Sequence, residues 1–267
     1  MNNIKEQFLG FYNTPSLFED LNSLKQFSIP DIDLDNLNIE NINIKGKLPL
    51  GKRIEYFFEH CINLSSRYDL LAKNIQIIKN KNTLGEIDFI LFDNNENCFK
   101  HVEVVYKYYL YDMSFENELD RYIGPNRNDT LVKKLQKLKD KQLPLLFENS
   151  TKEHLPQIDF NNIKQEVCFK GNIYLPFYQK DLNLMFQDSV KGYFLSYNEF
   201  ITDEYFKTCK FKIPHRYDWV NFILSEIISV SYHEAVKLIE YFLKYEKSPL
   251  VCIEKEEKYI PLFITWW

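Results

Sequence analysis

Gly85-Glu86-Ile87-Asp88-Phe89-Ile90-Leu91-Phe92-Asp93, followed by Asn94-Asn95-Glu96-Asn97 and then Cys98-Phe99-Lys100-His101-Val102-Glu103-Val104-Val105-Tyr106-Lys107, decides how this chain is read. Residues 85–93 alternate with period two, placing Glu86, Asp88, Ile90 and Phe92 on one face and Ile87, Phe89 and Leu91 on the other, as in a strand. Residues 99–110 form a second strand with His101, Glu103, Val105, Lys107 and Tyr109 on a common face. The turn formers Asp93-Asn94-Asn95-Glu96-Asn97 between them predict a hairpin. Antiparallel pairing then brings Asp88 and Glu103 together. A buried charge is costly unless it is paired or holds a metal, so carboxylates inside such apolar strands point to a site. From alternation alone the same residues equally describe a surface ribbon whose Asp88 and Glu103 face water opposite Lys107.

Gly85 to Asp88 and Val102 to Val104 resemble the GEID…VEVK wording of resolvase-like members of the PD-(D/E)XK nuclease superfamily. The resemblance implies an α/β fold with a restriction-endonuclease-like αβββαβ core and a mixed central sheet. It implies catalytic roles for Asp88, Glu103 and a following lysine, and a metal site built from Asp88 and Glu103. A glutamate of the preceding helix often completes that site, and Glu55 matches its position; read without the resemblance, Glu55 is a solvated helix glutamate. One departure stands out: Val105 occupies the place of the usual lysine, and Lys107 comes two residues later. The even spacing keeps Lys107 on the Glu103 face, about 6.6 Å further along an ideal strand than the usual lysine. A one-residue bulge would turn it to the other face.

A second resemblance covers roughly residues 50–219. Leu50-Gly51-x-x-x-Glu55, Leu84-Gly85-Glu86-Ile87-Asp88-Phe89, Ile123-Gly124-Pro125-Asn126-Arg127, Lys141-Gln142-Leu143-Pro144 and the stretch from Ile213-Pro214 to Asp218-Trp219 are similar to a bacterial family known as domain of unknown function 1853. That likeness implies the nuclease-like fold and a bacterial origin, and no settled substrate.

The 267 residues suffice for a large core, and 45% hydrophobic with 16% aromatic content fits a globular protein. Three regions are expected: an N-terminal extension over 1–45, a nuclease-like core over 46–185, and a C-terminal helical elaboration over 186–267. In the extension, residues 31–43 are rich in Asp, Asn, Ile and Leu without helical period and read as extended or looped. Ile54, Phe57, Phe58, Cys61 and Ile62 predict an amphipathic helix after Pro49. Residues 68–79 read as the first strand, 129–146 as a helix capped by Asp129, and 167–177 as a fourth strand. Ser231-x-x-Glu234 opens a late helix with the apolar stripe Ala235, Leu238, Ile239 and Phe242. Trp266 and Trp267 read as packed on the body.

Residues 121–141 hold seven cations against two carboxylates, although the whole chain carries a net charge of −5. This local excess, directly after the acidic strands, makes Arg127, Lys133, Lys134, Lys137 and Lys141 candidates for phosphate contact; a solvated helix face describes the lysines equally well, and an incidental arginine beside a Gly-Pro turn is the plainer reading of Arg127. Five dispersed cysteines without a Cys-x-x-Cys argue for reduced thiols and no structural zinc. No signal-peptide core or membrane-length apolar run is present, so a cytoplasmic protein is expected. No phosphate-binding glycine loop, dinucleotide fingerprint or Gly-x-Ser-x-Gly elbow occurs. The expectation is a Mg2+- or Mn2+-dependent deoxyribonuclease acting in repair, recombination or defence. The alternative is an inactive nuclease-fold module that binds nucleic acid or a protein partner.

Overall fold

The structure is a computed structural model that describes residues 4–34, 42, 44, 48–179, 182–221, 227–255 and 258–267. Most of the 31–43 stretch read as extended therefore lies outside the described residues. The chain divides into two compact units: a hairpin unit of residues 16–106 and 133–170, and a C-terminal unit of residues 1–15, 107–132 and 171–267.

In the hairpin unit, helix α1 (Leu50–Leu64) begins after Pro49 and buries Ile54, Phe57, Phe58, Cys61 and Ile62. Strands β1 (Tyr68–Lys79), β2 (Asn82–Asp93) and β3 (Cys98–Tyr111) follow as an antiparallel meander. Asn80 and Lys81 both adopt positive φ, 50° and 65°, which gives the two-residue β1–β2 turn the twist that hairpins favour. The β2–β3 connection is held by Asp93, whose Oδ1 accepts from the N–H groups of Asn95 and Glu96 at 3.0 and 3.2 Å. Phe58 seats α1 on β2, its ring 4.7 Å from that of Phe89. Full burial of one such ring is worth about 2–3 kcal/mol. A separate cluster of Ile77, Ile87, Ile90, Leu145, Leu146, Leu155 and Ile158 packs residues 145–158 against β1 and β2.

Strand β4 (Ile163–Pro176) lies next to β3 in sheet order and is longer than the 167–177 expected. The N-terminal segment runs along it through bridges Ser16↔Lys170 and Gln26↔Val167. The helix expected over 129–146 is shorter and broken. Helix α2 (Leu131–Lys137) passes into a π turn, Leu138–Gln142, and then a 3-10 turn, Pro144–Phe147. Pro144 has no N–H to continue the α pattern, and Leu143 donates instead to Leu138 O at 2.9 Å. Asp129 stands two residues before the helix and is engaged elsewhere, as described below.

Strands β3 and β4 both continue past the division, so their last residues belong to the C-terminal unit. There, strands β5 (Val190–Ser196), β6 (Lys210–Lys212), β7 (Leu250–Lys255) and β8 (Lys258–Thr265) run in the order β6-β7-β8-β5-β4. The β6–β7 and β7–β8 pairs are antiparallel, and the β8–β5 and β5–β4 pairs are parallel. The sheet is thus mixed and the chain is an α/β protein. This region, expected to be chiefly helical, carries as much strand as helix. Helix α3 (Tyr232–Leu243) has the expected Ser231/Glu234 capping box. Its Ala235 and Ile239 are buried with Phe200, Phe211, Val251 and Ile264. Leu238, expected in the same stripe, is exposed instead, because positions 235 and 239 already fill the buried face one turn apart. Among the described residues no helix is long and apolar enough to cross a membrane.

Candidate metal centre

The β2–β3 ladder pairs Phe89 with Val102, so Asp88 and Glu103 are the next positions on each strand. Their juxtaposition is tied by a hydrogen bond from Val104 N–H to Asp88 Oδ2 at 2.9 Å. Burial, then the nearby Glu103 charge, pushes the Asp88 carboxyl up to about 7; Glu55 adds to the rise, while Val104 N–H and the Lys134 ammonium oppose it.

Glu86 precedes Asp88 by two residues on β2, and Glu55 reaches the same place from α1. One carboxylate oxygen from each of Glu55, Glu86 and Asp88 lies within 4.8 Å of the other two. The Glu55 carboxyl is raised, chiefly by burial and against the pull of Lys52. Lys52, one turn before Glu55, places Nζ 2.9 Å from Glu55 Oε2 and 2.5 Å from Glu86 Oε1. Burial works against its charge, but Glu86 and Glu55 hold its pKa well above the usual lysine range. Asn74 also hydrogen-bonds Glu55. The β1–β2 register steps from Lys73↔Phe89 to Ile75↔Ile87, leaving Asn74 opposite Asp88. Asn74 has φ 51°, a left-handed conformation in mid-strand that asparagine tolerates better than a β-branched residue.

Glu103 is fully buried. Its Oε1 lies 3.0 Å from His101 Nε2, and its Oε2 accepts from Gln142 Nε2. Gln142 Oε1 in turn accepts from Lys134 Nζ at 2.7 Å. A neutral amide thus links the lysine of α2 to the carboxylate of β3. Gln165 Nε2 lies 2.9 Å from His101 Nδ1 and donates to Leu143 O at 2.7 Å.

The structure therefore groups Glu55, Glu86 and Asp88, and places Glu103 among the charges acting on Asp88. Lys107 belongs to the C-terminal unit, where its Nζ pairs with Asp129 Oδ2 at 2.5 Å. Arg127, in the same unit, pairs with Asp112 Oδ2 at 2.9 Å and stacks its guanidinium 3.8 Å from the Trp267 ring centre. Trp267 also donates its indole N–H to Pro125 O and packs inward as expected, whereas Trp266, expected to pack on the body as well, is exposed. Lys133, Lys137 and Lys141 are exposed on and after α2, and Lys134 is half-buried. Sequence reasoning missed Lys52, Asn74, His101, Gln142 and Gln165 as site residues. The legible hints were an asparagine and a histidine inside apolar strands and a lysine one turn before Glu55.

A carboxylate cluster on a mixed α/β frame defines the class: an α/β protein with a candidate centre for a hard divalent cation. The chain belongs to the family described as Domain of unknown function (DUF1853), whose model matches residues 16–258. No curated protein and no solved structure matches the chain.

Proposed function

We propose that this protein is a metal-dependent nuclease with a restriction-endonuclease-like, PD-(D/E)XK-type core, hydrolysing phosphodiester bonds in DNA. The observation that carries this reading is the convergence of Glu55, Glu86 and Asp88 within 4.8 Å, from a helix and a strand. The donor set fits the cation: every group is a carboxylate, and oxygen ligands suit Mg2+ or Mn2+ over softer metals.

Glu55, Glu86 and Asp88 would hold the ion, with Glu103 beside them. When bound, the cation polarises the phosphate and lowers the pKa of a water. The Val104 N–H holds Asp88 by one oxygen, and His101 and Gln142 hold Glu103 by both. Lys134, tethered by Gln142, takes the part that the resemblance assigned to Lys107: its ammonium stabilises charge developing on the phosphate. The exposed Lys133, Lys137 and Lys141 would meet flanking phosphates, giving local attraction despite the net charge of −5. Arg127, committed to Asp112 and Trp267, supports the C-terminal unit in this reading.

A nuclease-fold module that binds nucleic acid or a protein without hydrolysis is the second reading, favoured by the pairing of Lys107 with Asp129. A cleavage assay with Mg2+ or Mn2+ on linear, single-stranded and branched DNA and on RNA separates the two. Cleavage of DNA by the parent, abolished in Asp88→Ala, supports the nuclease. No cleavage by folded protein on any substrate supports the binding module. Cleavage that persists in Asp88→Ala rules out this centre as its source.

A further inference from the structure

Glu103 is held by a chain of hydrogen bonds whose direction can be worked out from one end. Leu143 O can only accept, so the Gln165 amide must present its NH2 to it, at 2.7 Å. The same nitrogen lies 2.9 Å from His101 Nδ1, and its second hydrogen is directed there. Nδ1 is then an acceptor, which puts the neutral ring's proton on Nε2, facing Glu103 Oε1 at 3.0 Å. His101 and Glu103 are both fully buried, so neither has water as a substitute partner. The other oxygen of Glu103 takes its hydrogen bond from Gln142.

Both holds lead back to one short segment. Gln142 is the last residue of the π turn Leu138–Gln142, and Leu143 follows it directly. We infer that His101 is a positioning residue for the metal centre: Gln165, anchored on Leu143 O, fixes its Nε2–H form, and that N–H aims Glu103 toward Asp88. The inference rests on the reading of Asp88 and Glu103 as parts of a metal centre. Each Glu103 oxygen accepts one of these hydrogen bonds and keeps a lone pair, so the carboxylate is oriented without being blocked. Outer partners of this kind orient a carboxylate before the ion arrives, and their loss typically weakens metal binding 10- to 100-fold.

The test uses the full chain and Mn2+ alone as probe. Side-chain 15N NMR of the histidine-labelled parent reads the ring directly, with His101 assigned by its disappearance in His101→Phe. The expected signature is a protonated Nε2 and an unprotonated Nδ1. Calorimetric titration is expected to show Mn2+ binding at least 10-fold weaker in His101→Phe, and within about 3-fold of the parent in His101→Gln, whose amide can donate to Oε1. Gln165→Leu, at a part-buried position, serves if the His101 variants fail to fold: it is expected to mix the two tautomers and weaken Mn2+ binding several-fold. A parent with the proton on Nδ1 overturns the inference, as does equal Mn2+ affinity in the parent and His101→Phe. A parent with the expected tautomer but no Mn2+ binding overturns both the positioning role and the metal reading beneath it.

Discussion

Gln142 donates its side-chain amide to Glu103 from the last position of a π turn, while its carbonyl oxygen accepts from Lys134 at 2.7 Å. One neutral side chain thereby sets both a buried carboxylate and a half-buried lysine. Replacing it with leucine keeps the bulk and removes both hydrogen bonds. Gln142→Leu is expected to cost about 1–3 kcal/mol of stability, because a buried carboxylate loses a donor that water cannot replace. Urea denaturation of parent and variant, with Lys134→Ala as the partner in a double-mutant cycle, measures it. A loss below about 0.5 kcal/mol would show that Glu103 is already satisfied.

The two candidate lysines are expected to separate cleanly. Lys107→Ala removes a half-exposed ion pair with Asp129 and is expected to cost less than about 1 kcal/mol, with cleavage retained. Lys134→Ala is expected to lower the cleavage rate by about 100-fold with the fold intact. Single-turnover rates on the substrate that the parent cleaves decide between them. The reverse outcome would return the catalytic part to the strand lysine.

The raised Asp88 carboxyl has a consequence for stability. Its pKa of about 7 in the folded protein stands above the ordinary aspartate value of 3.8, so the folded state holds a proton that the unfolded chain has lost. Unfolding free energy of the metal-free protein is therefore expected to fall as pH rises from about 4 to 7. The total is on the order of 4 kcal/mol. Asp88→Asn is expected to flatten this slope in denaturant titrations at pH 5 and 8. An unchanged slope would assign it to another group.

Asp93 titrates with the opposite sign. Burial alone would raise it, but the Arg67 guanidinium and the N–H groups of Glu96 and Asn95 hold it at about 2. Its stabilisation is present above about pH 4 and is lost as pH falls toward 2. Asp93 is fully buried, with Lys100 Nζ 3.4 Å away and itself nearly buried. Asp93→Asn leaves that lysine less compensated and is expected to cost about 3 kcal/mol at neutral pH. A thermal melt that moves by no more than 1 °C would show that Glu96 and Glu166 suffice for Lys100.

The sheet around the centre could be read directly from the residues, because its signals are local. Alternation and an asparagine-rich turn placed Asp88 against Glu103, and the strand at 68–79 has the bounds read from the sequence. Glu55 could be assigned only through a family resemblance, since a helix glutamate at that spacing has no distinctive local signal. The roles of Lys134 and Gln142 were out of reach for a different reason. They depend on a partner 39 residues away, since Gln142 reaches back to Glu103, and no local pattern encodes that contact. The last two long strands, Leu250–Lys255 and Lys258–Thr265, were missed altogether. The apolar run at 250–253 is too short for periodicity to tell strand from helix.

Lys52 completes the picture of the resting centre. Its ammonium lies between Glu55 and Glu86, so part of their negative charge is already offset by a cation that the chain itself supplies. If the centre takes a divalent ion as proposed, it would act as an ion exchanger: the ion would enter by displacing a tethered competitor whose local concentration does not fall on dilution. On that reading Lys52 would raise the free metal needed for half-occupancy, and each loading event would release one positive side chain beside the ion, available to an anionic strand.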